Sequence, residues 1–299
     1  MNPHMNMNPT LEYSVLLFYK FVKIPDARQF AQDHLAYCND LGIKGRILIA
    51  DEGINGTLSG SFEQTEQYMR DLRQNPLFSD IVFKVDDSDR HTFKKMFVRY
   101  KKELVTFRVD EELDPNVISG ERLAPKQFYE QLQRDDVIVL DGRTGYEYDI
   151  GHFRNSIRPD VDSFREFPQW IQENMNEFKD KPILTYCTGG IRCEKLSGYL
   201  LKEGFQEVYQ LDGGIVSYGK DADVQGKLFD GKCYVFDERI IVPINHTDED
   251  IVVGKCSHCG NPSERFINCA NNDCDLQHIS CEECDAAHNG HCSERCMPN

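Results

Sequence analysis

The stretch Thr185-Tyr-Cys-Thr-Gly-Gly-Ile-Arg-Cys-Glu-Lys195 constrains this chain more than any other. The apolar run Pro182-Ile-Leu-Thr-Tyr186 predicts a buried strand that stops at Cys187. Gly189 and Gly190 follow, then Arg192, then a helical pattern from Cys193 through Leu201. A cysteine between a strand end and a helix start meets converging backbone N–H groups and the positive end of the helix dipole. Both stabilise a thiolate, so Cys187 is expected to be acidic and nucleophilic. Gly189 and Gly190 let the backbone curl around the sulfur. The plain alternative is a strand-end cysteine with no chemical role, which the glycine pair, Arg192 and the following helix disfavour.

The spacing also sets what the loop can hold. Phosphatase loops run from cysteine through five residues to arginine, whereas only Thr188 to Ile191 separate Cys187 from Arg192. This tighter loop resembles a rhodanese active site, which cradles one transferred sulfur. The flanks agree: Leu140-Asp-Gly-Arg-Thr-Gly-Tyr-Glu-Tyr-Asp-Ile-Gly-His-Phe-Arg-Asn-Ser156 resembles the rhodanese entry motif, and Leu211-Asp-Gly-Gly-Ile215 its closing turn.

A chain of 299 residues exceeds one ordinary core and predicts two or three domains. No run of eighteen apolar residues is present, so no membrane span is expected. Residues 1–12 read as a loose polar tail without a signal core, and a cytoplasmic location follows as the expectation. The net charge of −16 is uneven. Residues 1–108 carry 15 Lys and Arg against 14 Asp and Glu; residues 109–227 carry 14 against 23, and the remainder 5 against 13. Only the first third can readily face a polyanion.

That first third, residues 13–108, alternates strand and helix patterns. Strands are expected at 13–19, 45–50, 56–59 and 81–85. Asp26 is placed to cap a helix reaching Leu41, and Ser61-Phe-Glu-Gln64 fits a capping box for a helix ending before Pro76. The β-α-β-β-α-β order is a ferredoxin-like, acylphosphatase-like α+β domain. Asp51-Glu-Gly-Ile-Asn-Gly56 is either a Gly-rich hairpin turn, the preferred reading, or a substrate loop. In Phe93-Lys-Lys-Met-Phe-Val-Arg-Tyr-Lys-Lys-Glu103, the cations Lys94, Lys95, Arg99, Lys101 and Lys102 interleave with Phe93, Phe97 and Tyr100. Cations hold phosphates and rings stack on unpaired bases, which suits RNA. The competing reading is an edge strand whose lysines block aggregation.

The acidic segment 109–120 reads as a linker. A central α/β domain over 121–228 follows, with a parallel sheet, a helix near 125–133 and a strand over 137–141. Asp141 and Arg143 fall at that strand's exit, and the rhodanese resemblance implies that they brace the domain. Arg154, Arg158 and Arg165 either place further positive charge nearby or are simple surface residues. Cys193 either resolves an oxidised or persulfidated Cys187 as a disulfide or is a small buried helix residue. Glu194 and Lys195 either polarise the helix start or are surface charges.

Residues 229–299 begin with short strand patterns around Cys233 and Ile240, then carry eight cysteines as Cys256-x2-Cys259, Cys269-x4-Cys274, Cys281-x2-Cys284 and Cys292-x3-Cys296. Paired cysteines at this spacing predict metal rather than disulfides, and eight thiolates make two closed, structural Cys₄ zinc sites. His258, His278, His288 and His291 are alternative ligands. Which pairs share an ion is not readable from spacing.

Ile49-Ala-Asp-Glu-Gly-Ile-Asn-Gly56, the basic run, Tyr186-Cys-Thr-Gly-Gly-Ile-Arg-Cys-Glu-Lys195 and the cysteine-rich tail together resemble the rhodanese-containing tRNA uridine hydroxylases. The resemblance implies oxygen-dependent hydroxylation at C5 of wobble uridine 34, with molecular oxygen as co-substrate and the tRNA anticodon stem-loop as partner. Cys187, Arg192 and Cys193 then carry the chemistry; Thr188, Gly189, Gly190 and Ile191 join the basic run in contacting substrate. No flavin or nicotinamide motif is present. A sulfurtransferase working through a Cys187 persulfide, and a non-enzymatic zinc-built RNA scaffold, are the rival readings.

Overall fold

The computed structural model describes residues 11–109, 113–274 and 276–297. The expected tail through Thr10 and the linker residues Asp110 to Glu112 lie outside the described residues. The chain forms two compact units, the first ending at Thr106 and the second beginning at Phe107.

The first unit comprises β1 (Tyr13–Phe21), α1 (Ala27–Leu41), β2 (Lys44–Ala50), β3 (Gly53–Ser61), α2 (Phe62–Gln74), β4 (Phe83–Ser88) and β5 (Met96–Tyr100). The sheet order is β4-β1-β3-β2-β5. Its first four strands make the expected ferredoxin-like arrangement, and β5 joins β2 in parallel at the edge. Alternation decides the buried face: Leu16 and Phe18 of β1, Ile47 and Ile49 of β2, and Ile54 and Leu58 of β3 share one core beneath the helices.

The helix signals work as their chemistry predicts. Asp26 accepts the Gln29 N–H at 3.2 Å. The Ser61 hydroxyl and the Gln64 side chain exchange their bonds reciprocally at 3.3 and 2.8 Å. The turn between β2 and β3 is tighter than the sequence suggests, with only Asp51 and Glu52 between the strands. Gly53 permits it, because a Cβ there would sit 2.1 Å from the Lys20 carbonyl oxygen. The strand expected at 81–85 lies instead at Phe83–Ser88. The turn after Pro76 draws Ile81 into the core, its N–H donating to Phe78 and its carbonyl accepting from Arg73.

The second unit opens with β6 (Glu121–Leu123), α3 (Pro125–Leu132), β7 (Ile138–Asp141), α4 (Gly145–Tyr148) and β8 (Gly151–Phe153). It continues through α5 (Phe167–Asn174), β9 (Ile183–Tyr186), α6 (Ile191–Lys202), β10 (Val208–Leu211) and α7 (Gly214–Lys220). Strands β6-β10-β9-β7 form an all-parallel sheet. Beyond it come β11 (Phe229–Tyr234), β12 (Ile241–Pro243), β13 (Phe266–Asn268), β14 (Gln277–Ile279) and α8 (Glu282–His288).

Strands from either side of the boundary expected between residues 228 and 229 pair with each other. β11 pairs antiparallel with β8, setting Phe229 against Phe153. Both rings pack in one buried cluster with Tyr186 and Tyr218. Polarity and cysteine content shift near this point in the sequence, but the aromatic core runs straight through it.

Candidate active site and cysteine clusters

The loop from Cys187 to Arg192 joins the central strand β9 to α6. Gly190 adopts φ 102°, a left-handed conformation that turns its N–H back onto the Cys187 Sγ at 3.2 Å. A second glycine, not singled out from the sequence, closes the loop from outside. Gly214 has φ +71°, and a Cβ there would lie 2.6 Å from the Cys187 oxygen and 2.7 Å from both Gly190 N and Thr188 O. With no side chain in the way, α7 presents the N–H of Ile215 to the Cys187 carbonyl and that of Val216 to the Thr188 carbonyl. The pair Gly213-Gly214 was the available signal.

Cys187 is 1% exposed. Burial alone would raise its pKa. Against it work the Cys193 thiol, the Arg192 charge and the N–H groups of Cys193 and Gly190, which together lower it to about 6. Burial and the neighbouring Cys187 push Cys193 well up. One proton serves two sulfurs, with the negative charge on Cys187. Cys193 is wholly buried on α6.

Arg192 points its guanidinium at a residue the sequence reading did not include. Nη1 and Nη2 donate to the two carboxylate oxygens of Glu147 at 2.7 and 2.8 Å, and Nη2 reaches the Thr188 hydroxyl at 3.3 Å. Glu147 is itself held by the N–H and hydroxyl of Thr144. Burial would raise its pKa, but Arg192 holds it below the usual carboxylate range. The signal lay in Thr144-Gly-Tyr-Glu147, a capping-box spacing inside the entry motif. Asp141 and Arg143 form a second, fully buried pair with contacts at 2.9 and 2.7 Å, and Arg143 also donates to the Gly151 carbonyl.

Two of the charges left open by the sequence lie away from the surface. Glu194 is not a surface residue: it is 1% exposed and accepts from Arg122, Ser119 and Gln210, tying α6 to β6 and β10. Lys195 is also buried. Arg154 pairs with Asp230, Arg158 with Asp149, and Arg165 donates to Ser163. Of the loop residues offered as substrate contacts, Thr188, Gly189 and Gly190 are buried and Ile191 is half-buried.

Lys94, Lys95, Arg99, Lys101 and Lys102 are exposed, and all belong to the first unit. Phe97, on β5, has the Lys95 ammonium 4.9 Å and the Arg99 guanidinium 5.0 Å from its ring centre. β5 is an edge strand.

The eight clustered cysteines form two interleaved tetrads, Cys256, Cys259, Cys281 and Cys284 in one, Cys269, Cys274, Cys292 and Cys296 in the other. Within each, the four sulfurs lie within 4.8 Å of one another. Sulfurs about 2.3 Å from a tetrahedral zinc stand roughly 3.8 Å apart. The separations are 3.8 Å for Cys259–Cys281, 3.7 Å for Cys274–Cys292 and 3.6 Å for Cys292–Cys296. The donor sets therefore fit a tetrahedral metal ion without a histidine.

Three family descriptions match in succession: "UPF0176 acylphosphatase like domain" over residues 13–104, "Rhodanese-like domain" over 124–221 and "Rhodanase C-terminal" over 230–297. A tRNA uridine(34) hydroxylase of Bacillus licheniformis is 56% identical over 285 residues, covering 95% of this chain and 88% of the relative. That of Bacillus velezensis is 54% identical over 288 residues, covering 96% and 89%, and that of Bacillus thuringiensis 52% over 290, covering 97% and 91%. The chain belongs to the tRNA uridine(34) hydroxylase family.

Proposed function

We propose that this chain hydroxylates uridine 34 of tRNA at C5, with Cys187 as the nucleophile. The observation that carries the reading is the 56% identity to a tRNA uridine(34) hydroxylase across nearly the whole chain, joined to a loop that holds a thiolate on Cys187. The thiolate adds to C6 of the uracil, and the electron pair of the C5–C6 double bond moves into an enolate. C5 then bonds to an oxygen atom derived from molecular oxygen. Two electrons and two protons from an external reductant release the second oxygen atom as water. Loss of the C5 proton expels the Cys187 thiolate and restores the double bond, leaving 5-hydroxyuridine.

Arg192 and the loop N–H groups stabilise the thiolate when it is free. Glu147 holds Arg192 in place, and Cys193 keeps its proton as a donor to the charged sulfur. The two cysteine tetrads hold zinc in closed, structural sites that build the end of the second unit and take no part in the chemistry. Lys94, Lys95, Arg99, Lys101 and Lys102 contact the phosphates of the anticodon stem-loop.

The rhodanese-like loop also suits sulfur transfer through a persulfide, and the products separate the two. Thiolation needs an activated carbonyl, commonly supplied by ATP, and the chain carries no Walker-type loop. Nucleosides from tRNA of a strain lacking this protein should lose 5-hydroxyuridine derivatives at position 34 and keep their thiolated bases. Loss of a thionucleoside with the hydroxylated ones intact would replace hydroxylation with sulfur transfer.

A further inference from the structure

Beside the Cys187 loop lies a group of rings that the chemistry above does not use. Tyr146 and Phe236 are 45% and 48% exposed, the only aromatic rings among the exposed large hydrophobic side chains of the described residues. They lie 90 positions apart in sequence, Tyr146 on α4 and Phe236 just beyond β11. Both pack edgewise on Tyr234, with ring centres 5.4 and 5.1 Å away and interplanar angles of 87° and 81°. Tyr234 is pinned from behind: its hydroxyl donates to Gln277 at 2.9 Å and its ring meets Phe266 at 6.0 Å. The β13–β14 hairpin, whose connecting segment carries Cys269 and Cys274 of one tetrad, thus braces this aromatic group.

The Arg192 guanidinium lies 5.8 Å from the Phe236 ring centre, and Tyr146 immediately precedes Glu147, the partner of that guanidinium. Two half-exposed rings thus flank the Glu147–Arg192 pair, whose arginine also reaches Thr188, the residue after Cys187. Leaving two such rings in water at a site walled by buried side chains forgoes apolar burial that either could gain elsewhere. A flat aromatic partner is the ligand that recovers it. An exposed ring next to a cation is the arrangement by which proteins stack unpaired nucleobases.

We propose that Phe236, with Tyr146 beside it, is the stacking platform that seats the uracil of position 34 against the Cys187 loop. This rests on the reading of the chain as a tRNA uridine hydroxylase. It assigns base recognition to rings outside the loop itself, and gives the cysteine-rich segment a positioning task in base binding: holding Tyr234, and through it the platform.

The test is a thermodynamic cycle with the full-length protein. Its ligands are full-length tRNAs assembled with either uridine or an abasic site at position 34. With the native protein, removing the base should weaken binding roughly tenfold, the usual scale for one stacked base. With Phe236→Ala, binding of the uridine tRNA should weaken by a similar factor, and removing the base should then cost nothing further. Phe236→Tyr should restore the dependence on the base, and Phe236→Leu, which keeps apolar bulk without a π face, should not. Equal loss on base removal in native and Phe236→Ala protein, or no loss in either, would overturn the platform. Neither result touches the nucleoside test above, which can succeed while this one fails.

Discussion

At the scale of single residues, the site is a problem of where one proton sits between two buried sulfurs. Cys187 carries the charge because Arg192 and the Gly190 and Cys193 N–H groups face it, while Cys193 keeps its proton. A depressed thiol pKa means that the reactive thiolate persists as pH falls, until about 6. Alkylation of Cys187 by iodoacetamide, followed by peptide mass spectrometry, should therefore be flat above pH 7 and decline below about 6. Cys193→Ala removes a donor to the thiolate and should move that midpoint up, toward the ordinary thiol range near 8.5. Glu147→Gln acts the other way, since it frees the full charge of Arg192 to act on the sulfur. It also leaves a mostly buried guanidinium without its carboxylate and should cost roughly 3 kcal/mol in urea denaturation. A midpoint that rises in Glu147→Gln as it does in Cys193→Ala would contradict this division of roles.

At the scale of elements, the sequence was most legible where one local rule decides the outcome. Asp26 and Ser61 start helices because each supplies an oxygen to an N–H that would otherwise be unpaired. The strand–loop–helix around Cys187 follows from an apolar run broken by two glycines. What could not be read depends on residues far apart in sequence. Glu147 meets Arg192 across 45 positions, Gly214 fits against Cys187 because of a contact and not a pattern, and Glu194 looks like a surface residue until Arg122, Ser119 and Gln210 are seen around it. The pairing of cysteines is of the same kind, because interleaved tetrads are a property of the folded hairpin and helix. β5 is the element whose role still rests on its charges. Changing Lys94, Lys95, Arg99, Lys101 and Lys102 to alanine should weaken tRNA binding and flatten its dependence on salt, since each lost phosphate contact releases fewer counterions. An unchanged slope in filter binding across salt concentrations would make β5 a protected sheet edge and nothing more.

At the scale of the whole molecule, a chain of net charge −16 binds a polyanion only if its cations are gathered, and the first unit gathers them while the second carries the thiolate loop. Neither unit alone has both, so each expressed separately should bind tRNA more weakly than the intact chain. The second unit is closed at its end by the tetrads. The purified protein should contain two zinc ions, and a chelator should loosen residues beyond about 250 while the buried aromatic cluster around Phe153 stays protected from hydrogen exchange. Metal analysis without zinc, or uniform loss of protection, would contradict that picture. If the Cys187 thiolate performs the hydroxylation, restoring the modification in cells requires that sulfur and no other. In a strain lacking this protein, plasmids encoding the native chain, Cys187→Ser and Cys193→Ser are compared by mass spectrometry of tRNA nucleosides. The native chain should restore 5-hydroxyuridine derivatives at position 34, Cys193→Ser should restore them in part, and Cys187→Ser should restore none while accumulating as folded protein. Full restoration by Cys187→Ser would exclude the Cys187 thiolate as the nucleophile.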